Sequence, residues 1–148
     1  MRMIPLVLAL LMAAQPARAE VLSRESAHDV PATVARLEAA AEAAGARVFA
    51  SVPHSAGAAS IGESLPPMVL VIFGNPKIGT PAIHAAPHAG LVLPLRVLVH
   101  EDAAGVTRLS WEEPGAMLTA VGVPADAPVI AAIAKALDGL TAKAAAAE

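Results

Sequence analysis

The sequence predicts an α+β fold: a largely antiparallel sheet of about four to five strands with helices packed against it. Two observations carry this expectation. Strand-length stretches that alternate or run continuously apolar, at 20–27, 46–52, 68–73, 93–100 and 106–111, are interspersed with apolar stripes at helical spacing. The last two strands are joined by the short turn Asp102-Ala-Ala-Gly105, so they form an antiparallel hairpin. The order strand, helix, two separated strands, helix, hairpin, helix is that of a sheet with helices on it.

Taken in order, residues 20–27 form a first short strand, and Asp29 then caps a helix with Pro31 in its first turn. Val30, Val34, Leu37, Ala41 and Ala44 make one apolar stripe along that helix, and Gly45 stops it. In 46–52 the alternation puts Val48, Ala50 and Val52 on one face and Arg47, Phe49 and Ser51 on the other. Pro53–Pro67 reads as a loop with room for a helical turn. Met68–Phe73, rich in branched residues and bounded by Pro66-Pro67 and Gly74, reads as a central strand. Asn75 suits an N-cap with Pro76 at the first helical position, giving a short helix to Ala86 that Pro87 and Gly90 break. After the hairpin, Pro114–Ala120 is a helical turn. Asp126 is expected to cap the last helix, where Ile130, Ile133, Leu137 and Leu140 form a stripe and the alanine-rich tail from Ala142 frays.

The chain of 148 residues suits one domain with a sizeable core. Its hydrophobic fraction of 56% and mean hydropathy of +0.61 are raised by alanine and by the N-terminus. Met1-Arg2-Met3, the apolar run Ile4–Ala14 and Ala17-Arg18-Ala19 read as a signal peptide over 1–19, leaving a single domain over 20–148 in the periplasm. That run is shorter than the ~20 residues needed to span a bilayer, so no membrane association is expected after cleavage.

The absence of cysteine removes disulfides, thiolate metal sites and cysteine nucleophiles, and with them a lipoprotein anchor. Net charge is −3, and losing Arg2 and Arg18 makes the remaining chain more acidic. With no dense basic run, nucleic acid is not an expected partner. Phe49, Phe73 and Trp111 are the only aromatic residues, too few for a platform that stacks bases or sugars.

Residues Phe73-Gly-Asn-Pro-Lys-Ile-Gly-Thr-Pro81 form a distinctive signature, accompanied by Pro87, Leu93-Pro94-Leu95, Glu101-Asp102 and His54. On these residues the segment 66–114 resembles the bacterial family called domain of unknown function 302. The resemblance extends through the first and last helices. It implies an α+β fold, occurrence as a small stand-alone or exported domain, self-association, and no established activity. His100 stands where an aromatic residue is expected before the Glu-Asp pair, and His84 where the pattern is apolar.

Three functional readings follow. Gly74-Asn75-Pro76-Lys77 joins a strand end to a helix start, a junction that aims free amides and a cation at one point. With Thr80 and His54, residues Asn75 and Lys77 are the expected ligand-binding set of a small-molecule or anion pocket. The second glycine and Gly-Lys-Ser/Thr ending of a nucleotide loop are missing. The alternative is a metal-binding protein using His54, His84, His88 or His100, with no diagnostic spacing among them; His84 and His88 are four apart but Pro87 separates them. The third reading is a self-associating interaction module, a homodimer through its apolar strand and Trp111. No G-x-S-x-G and no cleft-forming pair of acids is recognisable, so no catalytic residue is assigned and no cofactor is named. Glu101-Asp102 and Glu112-Glu113 read as a hairpin turn and a helix start.

Overall fold

The computed structural model describes residues 20–147, so the signal-peptide reading of 1–19 lies outside the described residues. Five strands, β1 (Val21–Glu25), β2 (Arg47–Pro53), β3 (Met68–Gly74), β4 (Leu95–Glu101) and β5 (Thr107–Glu112), form one sheet. Their order is β1-β5-β4-β3-β2 and every neighbouring pair is antiparallel. The helices are α1 (Val30–Ala43), α2 (His54–Ala59), α3 (Pro76–Ala85), α4 (Pro114–Ala120) and α5 (Pro128–Ala145), with a 3₁₀ turn over Pro87–Leu91. The α+β expectation holds. β3 is an interior strand, while β4 is the middle one.

Register sorts the side chains into two faces. Phe73 pairs with Leu95, Val71 with Val97, Val69 with Val99, and Val99 with Leu109. This face carries the core, with Leu37 and Ala41 of α1 and Ile133, Leu137 and Leu140 of α5 packed into it. On the opposite face Leu70 pairs with Leu98, Ile72 with Arg96, and Met68 with His100.

Local chemistry explains the boundaries. Asp29 caps α1 through Oδ1, which accepts from the Ala32 amide at 2.9 Å, and Gly45 leaves the helix at φ +77°. Asp102 Oδ1 accepts from the Ala104 and Val106 amides, and Gly105 turns the hairpin at φ +76°. Glu113 caps α4 through both carboxylate oxygens.

Three expectations are corrected. The register of β2 shifts between Val48 and Ala50, so Phe49 is a bulge. Val48, opposite Phe73, stays on the core side, whereas Ala50 and Val52, opposite Ile72 and Leu70, fall on the other face. Ser51 returns to the helix side and its hydroxyl donates to Glu38 of α1. Asp126 does not cap α5: with Pro128 in the first turn the cap falls on Ala127, which has no side-chain bond to give. The tail does not fray at Ala142 either. Ala144 and Ala145 are buried, the Ala27 amide donates to the Ala145 carbonyl at 3.0 Å, and Arg36 Nε donates to the Ala144 carbonyl at 3.2 Å. Their small side chains let α5 lie close to α1 and the end of β1.

Candidate functional site

At the end of β3 the chain turns into α3, and Asn75 does what its type favours there. Its Oδ1 accepts from the Lys77 amide at 2.9 Å, while its carbonyl accepts from the Ile78 and Gly79 amides, both at 2.9 Å. Pro76 has no amide to offer. The donors that the sequence aims at an anion are therefore used within the cap itself.

Beside this junction lies a cleft of about 670 Å³ between α3 and α5. Its floor includes Phe73, Gly74 and Leu95, its α3 wall Ile78, Gly79 and Ile83, and its α5 wall Ala132, Ala136 and Gly139. The bulge puts Phe49 on one rim, with the Arg47 guanidinium carbon 5.7 Å from the ring centroid. Helical spacing lines up Ala132, Ala136 and Gly139 on one flank of α5, where small residues leave the space a longer side chain would occupy. A Cβ added at Gly139, or at Gly90 on the far rim, would meet nothing within 4 Å.

The polar groups at the cleft are few: Asn75, Thr80, Lys135 and Lys143. Lys135 and Lys143 are exposed, and neither takes part in an ion pair among the described residues. No aspartate or glutamate lines the cleft.

Of the four residues expected to bind ligand, the structure brings Asn75 and Thr80 to the cleft. Lys77 is adjacent in sequence but exposed and outside the lining. His54 is separated from them: it follows Pro53, which pairs with Val69, whereas Asn75 follows Gly74, which pairs with Arg47 at the opposite end of the same ladder. The α5 wall is missing from the sequence reading. Its only sequence signal is glycine within an otherwise strongly helical segment.

The histidines are dispersed. His84 ends up in α3 and His88 in the 3₁₀ turn, separated by the extended Ala86. His100 Nε2 lies 3.0 Å from Ser110 Oγ on the open face of the sheet. Among the described residues no three His, Asp or Glu side chains are grouped to hold a metal ion. The shifted titrations belong to the hairpin: the Arg108 guanidinium beside Asp102 holds that carboxyl below its usual range, and Asp102 raises Arg108 in turn.

Comparisons with known proteins agree with this architecture. The family model described as "Domain of unknown function DUF302" matches residues 22–144. The crystal structure of an uncharacterized conserved DUF302 protein from Bacillus stearothermophilus superposes with a TM-score of 0.76. It has 20% identity, with 84% of this chain and 97% of that chain covered. Among curated proteins, a "Fluoride-specific ion channel FluC 1" of Brucella suis is 39% identical over 111 residues, 74% of this chain and 44% of that protein. A protein of the same name from Brucella abortus matches at the same identity over 41% of its length. The chain thus spans less than half the length of these relatives. Among the described residues no helix is long and apolar enough to cross a membrane.

Proposed function

The chain belongs to the DUF302 family, and we propose that it acts by binding, with a small, largely apolar ligand held in the cleft between α3 and α5 and no chemistry performed on it. The observation that carries this reading is the cleft itself. Its volume of about 670 Å³ falls within the ~300–1,000 Å³ typical of small-molecule sites, which are apolar with a few placed polar groups. Asn75 and Thr80 supply such groups: the Asn75 Nδ2 amide and the Thr80 hydroxyl make no hydrogen bond among the described residues. In the same proposal the domain works in the periplasm, on the signal-peptide pattern of Met1–Ala19.

A native mass spectrum of the protein gently prepared from the periplasm tests this. The expected result is a chain beginning at Glu20 that carries a stoichiometric organic adduct, lost in Gly139→Phe, where the new ring fills the cleft. An adduct retained in Gly139→Phe overturns the cleft as its site. A chain that takes up no apolar ligand overturns the reading altogether.

A second reading, an interaction module, is favoured by the sheet face that bears the half-buried Leu70, Ile72 and Leu98, none of them part of the core cluster. The Brucella proteins that contain a similar stretch in one chain with further sequence support it as well. Light scattering tests it: a dimer weakened by Leu98→Glu supports this reading, and a monomer at high concentration counts against self-association.

A further inference from the structure

We propose, building on the cleft reading above, that the occupant is a free single-chain amphiphile with one anionic head, of carboxylate type. Its hydrocarbon tail lies along Phe49, Phe73, Ile78, Ile83 and Leu93, and its head sits at the α5 rim between Lys135 and Lys143.

The chemistry of the lining selects this class. The walls are mostly apolar carbon, so a sugar or an inorganic anion lying within the cleft would leave most of its polar groups desolvated and without partners. A hydrocarbon gains from the same surface in proportion to the apolar area it removes from water. The two charged residues of the lining are both lysines, in a chain whose net charge is −3. Neither is neutralised by a carboxylate among the described residues. A cationic amphiphile meets repulsion at that rim, and a neutral one gains nothing from it.

Helix geometry fits both lysines to one head. Lys135, Gly139 and Lys143 follow one another at four-residue intervals on α5, so the ammonium-bearing stems rise from one flank, about 12 Å apart along the axis. Gly139 stands between them, and a Cβ there would meet nothing within 4 Å. The gap gives the tail passage from the rim to the floor. Lysine stems lie along apolar surface while their heads stay in water, which suits a head group at the mouth and a tail inside.

Isothermal titration calorimetry of the delipidated protein with decanoate, decanol and decyltrimethylammonium, each below its micelle concentration, tests the assignment. Decanoate is expected to bind about tenfold more tightly than decanol, as two solvent-exposed ion pairs allow, and the cationic analogue more weakly than either. In Lys135→Gln/Lys143→Gln, decanoate affinity should fall to that of decanol, with decanol unchanged. Equal affinity for all three overturns the anionic head and leaves the apolar cleft standing. Absence of binding by all three, in protein whose unfolding transition is intact, overturns the cleft reading and this inference together. Association with vesicles of anionic phospholipid, without uptake of monomeric decanoate, overturns the free ligand.

Discussion

The ring of Phe49 rests beside Gly74: a Cβ at position 74 would lie 3.5 Å from Phe49 Cε2 and 3.4 Å from Pro94 Cβ. The contact joins the bulge of β2 to the end of β3, and it is how one extra residue in an edge strand becomes a wall of the cleft. Phe49 is 52% exposed despite its size. Phe49→Ala is therefore expected to reduce decanoate affinity several-fold while lowering stability by only about 1 kcal/mol, since half a side chain's burial is at stake. Calorimetry and urea unfolding of the same variant check the two halves; an unchanged affinity removes Phe49 from the site.

Gly139 lies well inside α5 and costs the helix backbone freedom that alanine would not. With open space around its missing Cβ, Gly139→Ala is expected to raise unfolding stability by about 0.8–1 kcal/mol in the absence of ligand. Urea denaturation measures it. A loss of stability would mean that the cleft closes over position 139.

Asp102 and Arg108 tie the two strands of the hairpin together, with Arg108 Nε donating to the Asp102 carboxylate. That hydrogen bond lowers the Asp102 pKa below its ordinary 3.8. Its contribution is present above the ordinary value and is lost as pH falls through the lowered one. Asp102→Asn keeps a side-chain oxygen for the Ala104 and Val106 amides but removes the charge. Its stability should vary less steeply with pH below about 4 than that of the wild type. Parallel slopes in acid titrations followed by circular dichroism would contradict this.

The docked tail of α5 makes a prediction about local motion. The amides of Thr141–Ala145 should be protected from hydrogen exchange well beyond their intrinsic rates, because Ala144 and Ala145 are buried and the Ala145 carbonyl is held by Ala27. Exchange at intrinsic rates from Ala142 onward would show that the end of the helix is open.

What the sequence made legible was whatever rests on local chemistry. Asp29 before Val30-Pro31, Asn75 before Pro76, and Asp102 three residues before Gly105 each state their own cap or turn. The fold class followed from the order of these units. Illegible were the features set by neighbours. The bulge at Phe49 leaves the pattern 46–52 alternating yet moves Ala50 and Val52 to the other face, because one extra residue reverses every side chain after it. The fate of the alanine tail depends on α1, far away in sequence. The candidate site was half legible. Asn75 and Thr80 line the cleft, but His54 follows a strand that runs antiparallel to β3 and emerges at its other end. The α5 wall is made of alanines and a glycine, residues that define a cleft by what they lack.

The most direct test is a two-dimensional ¹⁵N–¹H NMR titration of the protein with decanoate. Binding in the cleft predicts saturable shifts concentrated in the amides of Gly74–Ile83 and Ala132–Lys143, lying on its two walls, and abolished in Gly139→Phe. Shifts concentrated instead at Leu70, Ile72 and Leu98 on the open sheet face, or no saturable shifts at all, would contradict it.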